Sequence, residues 1–229
     1  MRKLLLATVG AICLGLVGTA QAAVSLSMRI FEDNILVSTA AQSSPGTLIN
    51  SFSTPNFIIN TSAFGTPVLQ SPSLSTQGTE ITTAGFTGTH SIRLEFTQTG
   101  LLSSTAGGLA ASLGSSFAAN FLVNGSSVTN LVFATYVSAA DIAYDRATLL
   151  ATRTYMSGPT QDSGLIVTNV SLPNPTFSET VVISATFTGP QANLANSAQI
   201  VRVPEPASML LFGTALLGLG LVRRSRRQA

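Results

Sequence analysis

Apolar and polar residues alternate along several segments of this chain, and this alternation limits its possible folds more than any other feature. Residues 24–30 run Val-Ser-Leu-Ser-Met-Arg-Ile, and residues 92–96 repeat the pattern as Ile-Arg-Leu-Glu-Phe. Because successive side chains of a β-strand point to opposite faces, a period of two predicts strands that bury one face. Turn residues such as Glu32-Asp33 separate the segments. The pattern predicts an all-β body, an antiparallel β-sandwich with a jelly-roll-like arrangement.

Turn residues and one ambiguous segment refine this outline. Further strands are predicted at residues 34–38, 117–123, 128–137, 164–170, 180–188 and 198–203. Asn124-Gly125 lies between two of them and is typical of a tight β-hairpin. Residues 139–150 are the one helical candidate, but residues 146–155 alternate equally well. We therefore favour a loop over 138–145 with a strand after it.

Positive charge is concentrated at the two ends of the chain, whereas the body is slightly acidic. The chain has 11 basic residues, and those near its termini are Arg2, Lys3, Arg223, Arg224, Arg226 and Arg227. Residues 23–203 contain five Arg, no Lys and eight acidic residues, so their net charge is 5 − 8 = −3. Nucleic-acid binding requires a basic stripe that neutralises phosphates. The body has none, and we predict that it binds no nucleic acid.

The first 22 residues have the parts of a removable signal peptide. Arg2 and Lys3 are followed by an apolar run, and Ala20 and Ala22 occupy the −3 and −1 positions of a cleavage site. We expect residues 1–22 to be helical before cleavage. An uncleaved anchor is the alternative, but the run is short for a bilayer span. Cleavage would also remove Cys13, the only cysteine, which excludes disulfides in the mature body.

A second apolar segment lies at the C-terminus. Residues 207–222 carry no charge and lie between Pro204-Glu205-Pro206 and a basic tail at 223–229. As a helix they would extend about 24 Å, and local thinning of the bilayer can make up the difference from a hydrocarbon core of about 30 Å. We predict one transmembrane helix here. Basic residues prefer the cytoplasmic side, so the tail arginines, Arg223, Arg224, Arg226 and Arg227, would stop transfer and leave the body outside.

The proline-rich junction, the short apolar span and the arginine cluster, in this order, resemble the PEP-CTERM sorting domain over residues 204–229. The resemblance implies a Gram-negative bacterium with an exosortase, a membrane transpeptidase that recognises Pro204, Glu205 and Pro206 and processes the tail nearby. It implies a precursor anchored in the inner membrane with its body in the periplasm, and later a place at the cell surface or in the extracellular matrix. It also implies an association with exopolysaccharide or biofilm. An ordinary tail anchor is the alternative.

The body, residues 23–203, has few groups that could carry catalysis. His90 is the only histidine, and no Gly-x-Ser-x-Gly elbow surrounds a serine. A glycosidase needs two opposed carboxylates, and the sequence pairs none of Glu80, Glu95 and Glu179. We therefore predict a structural protein of the envelope or matrix that is not an enzyme and needs no cofactor.

Asp141 and Asp145 are the main remaining candidates for a metal site; Glu32-Asp33 could also bind Ca²⁺ but is more simply a turn. Carboxylate oxygens bind Ca²⁺, but this spacing lacks the order of an EF-hand loop. A solvated turn, with Asp145 beside Arg146, is the interpretation we prefer, and we predict no metal. The two aspartates motivate an alternative function, a calcium-dependent carbohydrate-binding module or an envelope hydrolase.

Overall fold

The computed structural model of this protein describes residues 23–156, 158 and 160–203. The predicted signal peptide and the predicted transmembrane helix lie outside the described residues. Within the part that is described, no helix has both the length and the apolar character that a membrane crossing requires.

The described residues form thirteen strands and one short helix. In chain order these elements are β1 (Ser25–Glu32), β2 (Ile35–Ala41), β3 (Thr47–Ser53), β4 (Phe57–Gly65), β5 (Ser73–Thr83), β6 (His90–Leu102), α1 (Ser103–Ala106), β7 (Ala111–Val123), β8 (Val128–Ser138), β9 (Thr148–Tyr155), β10 (Gln161–Asp162), β11 (Ile166–Val170), β12 (Thr176–Phe187) and β13 (Asn193–Arg202). Short 3₁₀ turns precede β7 and β8.

Two antiparallel sheets make up the fold. Sheet A has the strand order β2-β1-β6-β12-β8-β9, and sheet B has the order β10-β7-β13-β5-β4-β3, with β11 also paired to β7. The strands at the centre of each sheet are far apart in sequence, so the chain crosses repeatedly between the sheets. This arrangement confirms the predicted all-β antiparallel sandwich.

The core lies between the two sheets and follows the predicted alternation. In the pairing of β6 with β12, Phe96 lies opposite Val181 and Leu94 lies opposite Ile183. All four side chains are completely buried. Burying one such side chain stabilises a fold by roughly 1.5–3 kcal/mol, so these central strands contribute much of the stability of the sandwich.

The predicted hairpin at Asn124-Gly125 is wrong. Asn124 adopts a left-handed conformation with φ 43°, as a tight turn requires, but a 3₁₀ turn at Gly125–Ser127 then carries the chain from sheet B to sheet A. The rings of Phe117 on β7 and Phe133 on β8 stack with centroids 5.4 Å apart. The apolar faces of the two strands therefore pack against each other across the core, while β13 and β12 provide their hydrogen-bonded neighbours.

Two other local predictions concern the first turn and the loop after β8. The first turn lies one residue later than predicted, because Asp33 and Asn34 have the positive φ values of 48° and 68° and Glu32 still belongs to β1. The loop after β8 and the strand that follows it are confirmed, and β9 begins at Thr148. Asp141 and Tyr144 have positive φ in this loop, which a continuous helix does not permit.

Candidate functional site

Most of the residues that the sequence singles out lie outside the described residues. These are the cleavage-site residues Ala20 and Ala22, the motif Pro204-Glu205-Pro206, and Arg223, Arg224, Arg226 and Arg227.

Asp141 and Asp145 both lie in the loop between β8 and β9, where each has a hydrogen-bond partner. The backbone N–H of Gly100 donates to Asp141 Oδ1 at 2.8 Å, and Ser138 Oγ donates to Asp145 Oδ2 at 2.5 Å. Among the described residues, no third potential ligand joins them in a metal-binding group. The two carboxylates thus hold the loop against β6 and β8.

Glu95 is the centre of a charged cluster on the outer face of sheet A. The side chain of Arg29 on β1 donates to Glu95 Oε2 at 2.6 Å, and that of Arg93 on β6 donates to Oε1 at 2.9 Å. Arg146 contacts Oε1 from the loop after β8. Because these three guanidinium groups cover the carboxylate, Glu95 is only 1% exposed although it points away from the core.

Aromatic rings complete this cluster. The Arg29 guanidinium lies 3.8 Å from the centroid of the Tyr144 ring, and the Arg93 guanidinium lies 4.1 Å from that of Phe31. Burial raises the pKa of Tyr144, whose hydroxyl donates to Ser27 Oγ at 2.9 Å. Each ring therefore already has an arginine guanidinium stacked on it.

The outer face of sheet B contains a concave surface. The groove has a volume of about 600 Å³ and crosses the adjacent strands β5, β13 and β7. Gln199 lies at its centre, opposite Ser75 on β5 and Ser116 on β7. We call this surface the sheet B groove. A smaller depression beside Asn120 shares part of its lining and extends it along the sheet.

The sheet B groove is polar and nearly uncharged. Its lining side chains are mostly Ser, Thr, Gln and Ala, and Asp162 is the only ionisable residue among them. The side-chain amides of Gln77 and Gln199 have no hydrogen-bond partner among the described residues, so their donors and acceptors are available to a ligand. On the β7 side, Leu165 comes within 2.7 Å of the position that a Cβ on Gly114 would occupy. Leu165 itself lines the groove and forms one wall of it.

One grouping of side chains was missed by the sequence analysis. His90 begins β6, and its Nδ1 lies 2.8 Å from Oδ2 of Asp33, which is 57 residues away in sequence. The antiparallel register of β1 and β6, which places Glu32 opposite Ile92, brings these residues together. Linear spacing contains no signal of this contact, since it depends on which strands become neighbours.

The sequence comparison decides what the C-terminal segment is. The family model of the PEP-CTERM protein-sorting motif matches residues 202–227. The chain carries a PEP-CTERM sorting motif. The resemblance inferred from the three-part C-terminus is thereby confirmed, and the motif marks an exported protein that is anchored in the membrane before an exosortase processes it.

The body of this PEP-CTERM protein has distant likenesses among solved structures, whereas no curated protein matches the chain in sequence. The CBM22-1 xylan-binding domain of Paenibacillus barcinonensis Xyn10C is 11% identical with a TM-score of 0.32, over 72% of this chain and 90% of that domain. A family 22 carbohydrate-binding module of Clostridium thermocellum Xyn10B is 14% identical with a TM-score of 0.31, over 71% and 88%. TmCBM61, solved with β-1,4-galactotriose, is 10% identical with a TM-score of 0.31, over 71% and 91%.

Proposed function

We propose that this PEP-CTERM protein is a non-catalytic component of the cell surface or extracellular matrix. In this proposal residues 1–22 direct export, residues 23–203 form the functional body, and residues 204–229 hold the precursor in the inner membrane until an exosortase acts. The observation that carries the proposal is the sorting motif at 202–227. The body would then associate with exopolysaccharide through the sheet B groove.

The junction between body and motif suits processing by a membrane enzyme. Strand β13 ends at Arg202, the N–H of Val203 still donates to the Ser112 carbonyl at 2.9 Å, and Pro204 follows directly. Proline has no N–H donor and disfavours helix in the residue before it. We therefore expect an extended segment immediately after the folded body, which an enzyme groove can bind.

Replacing Pro204, Glu205 and Pro206 by alanine is expected to block exosortase processing, because recognition depends on this motif. The variant should accumulate as a larger species in the inner-membrane fraction, as measured by immunoblots of separated fractions with an antibody against the body. Substitution of the body prolines Pro173 and Pro175 by alanine is the matched control and should leave processing unchanged. Normal release of the motif variant would refute the sorting proposal.

The chemistry of the sheet B groove favours a neutral polysaccharide. Sugar hydroxyls both donate and accept hydrogen bonds, as do the amides and hydroxyls that line the groove. Asp162 would repel an anionic polymer, although its Oδ1 already accepts a hydrogen bond from the Gly164 N–H at 2.8 Å. Because the lining provides no exposed aromatic ring for stacking, we expect weak binding that depends on many repeated contacts along a polymer.

The double substitution Gln77→Ala with Gln199→Ala is expected to weaken polysaccharide binding roughly tenfold, since each lost hydrogen bond contributes about 0.5–1.5 kcal/mol. Affinity electrophoresis through gels that contain neutral polysaccharides, including the matrix polysaccharide of the producing cells, measures this change. Gln70→Ala is the matched control, because Gln70 is an exposed glutamine outside the groove. The groove assignment fails if the double variant is retarded as strongly as the wild type.

A further inference from the structure

Three potential metal ligands meet at the end of the sandwich where the β1–β2 turn lies. They are Glu32 at the end of β1, Asp33 in the turn and His90 at the start of β6. One ligand atom from each lies within 4.8 Å of the others. Asn56, from the loop between β3 and β4 in sheet B, reaches the same point and contacts both Glu32 Oε1 and His90 Nδ1. Residues from both sheets therefore converge here.

The surrounding structure holds these side chains in place. The ring of Phe86 packs edge-on against the His90 imidazole with centroids 4.8 Å apart, which fixes the orientation of the imidazole. The backbone N–H of Ser91 donates to Asp33 Oδ1 at 2.8 Å, so Oδ2 is the oxygen turned toward His90. In metal sites, hydrogen bonds and packing contacts of this kind orient the side chains that bind the ion.

In either protonation state of His90, one contact of its Nδ1 is unfavourable. His90 Nδ1 lies 2.8 Å from the Asp33 carboxylate and 3.3 Å from Nδ2 of Asn56. With a proton, Nδ1 donates to Asp33 but then faces the Asn56 amino group, which is also a donor. Without a proton, Nδ1 accepts from Asn56 but then faces a carboxylate, which is also an acceptor. A cation at the centre removes this conflict, because every neighbouring lone pair can point at it.

The buried charge of Glu32 also favours a bound cation. Glu32 is only 9% exposed, and within the described residues no Arg or His forms an ion pair with it. Arg93 is the nearby base, but its guanidinium donates to Glu95 Oε1 and to Asn34 Oδ1. A buried carboxylate without an ionic partner is costly unless a proton or a metal ion compensates it.

We propose that Glu32, Asp33 and His90 bind a divalent transition-metal ion of the zinc class at this end of the sandwich. One imidazole nitrogen with two carboxylate oxygens is a mixed set that suits such ions better than Ca²⁺ or Mg²⁺, which prefer oxygen alone. The Asn56 amide, turned by 180°, offers a third oxygen as the fourth ligand, which completes the four ligands of a tetrahedral zinc site. Zinc–ligand distances of about 2.0–2.2 Å place tetrahedral ligand atoms about 3.4 Å apart. Ligand atoms that are now up to 4.8 Å apart would move closer, and His90 Nδ1 and Asp33 Oδ2, now 2.8 Å apart, would separate slightly. The ion would join the ends of sheets A and B.

A zinc titration of the full chain tests this site. The protein is purified in a mild detergent with a tag that lacks histidine, and bound metal is removed with EDTA. Because the chain contains one histidine, its imidazole NMR signals report on His90 alone. We expect them to shift as one equivalent of Zn²⁺ is added. At a Zn²⁺ concentration a hundred times the dissociation constant, the Tm should rise by roughly 5–10 °C.

The variants distinguish this site from binding elsewhere. His90→Gln and Asp33→Asn should each weaken zinc affinity at least tenfold in calorimetric titrations, whereas Asp145→Asn should bind like the wild type. Unchanged imidazole signals and an unchanged Tm at millimolar Zn²⁺ would overturn the proposal. It is equally overturned if both ligand variants keep the wild-type affinity, or if Ca²⁺ stabilises the protein as strongly as Zn²⁺. Should His90→Gln fail to fold, Asp33→Asn and the wild-type NMR titration still decide the matter.

Discussion

Glu179→Gln is expected to abolish most of the loss of stability that the wild-type protein shows between about pH 4.5 and pH 8. Glu179 lies on β12 and is completely buried, and within the described residues neither carboxylate oxygen has a hydrogen-bond partner. Burial raises the pKa of Glu179 from 4.5 to about 8. Its cross-strand neighbour Gln98 also has a buried Oε1 without a described partner, so an acceptor lies nearby for a protonated Glu179.

The direction of the effect follows from where the proton is bound. In the folded protein Glu179 keeps its proton up to about pH 8, whereas the unfolded chain loses it above about pH 4.5. The stability that this group contributes is therefore complete below pH 4.5 and is lost as pH rises through 8. A shift of this size corresponds to roughly 3–5 kcal/mol. Glutamine keeps a neutral hydrogen-bonding side chain of nearly the same shape and does not titrate.

Urea unfolding at pH 5, 7 and 9 measures this difference. The wild type should lose stability at each step, and Glu179→Gln should have a much flatter profile and be the more stable protein at pH 9. Glu80→Gln is the matched control, because Glu80 is partly exposed and its Oε1 accepts a hydrogen bond from Asn193 Nδ2 at 2.6 Å. Parallel pH profiles for the wild type and Glu179→Gln would show that Glu179 is not the titrating group.

Local patterns in the sequence predicted the strands but not their neighbours. The alternation at 24–30 and 92–96 depends only on which face of each strand is buried, so it predicted β1 and β6 correctly. Asn124-Gly125 predicted a reversal of direction, and the chain does turn there. Whether the next strand pairs with the previous one or packs across from it is decided by distant strands, here β13 and β12. The sequence has no local signal for that choice.

The candidate sites also differ in how well the sequence alone predicts them. The sorting motif is contiguous, so its three parts were visible in order and the family comparison confirmed it. The sheet B groove is formed by β5, β13 and β7, whose contributions are separated by long stretches of chain. Glu95 was correctly placed on the outer face of its strand, but its burial comes from arginines on β1 and in the loop after β8. Such sites become visible only when the strand order is known.

The second large effect is expected from Glu95→Gln, which should destabilise the fold by about 2–3 kcal/mol. Breaking a buried ion pair by removing one partner costs about 3–5 kcal/mol, and we reduce this value because the side chains of Arg29, Arg93 and Arg146 are 34%, 26% and 42% exposed. The loss arises because three guanidinium groups would remain close together without the carboxylate that they share.

Removing one arginine as well distinguishes repulsion among the arginines from a simple loss of contacts to Glu95 as the cause of the lost stability. Arg146→Gln alone should cost less than about 1 kcal/mol, since its partner Glu95 keeps two other arginines. If repulsion among the arginines dominates, adding Arg146→Gln to Glu95→Gln should restore part of the lost stability. Guanidinium salts would screen these charges, so urea unfolding of all four proteins at low ionic strength is the suitable measurement. A double variant that is less stable than Glu95→Gln alone would contradict this account, because removing a guanidinium from an unbalanced cluster can only relieve its repulsion.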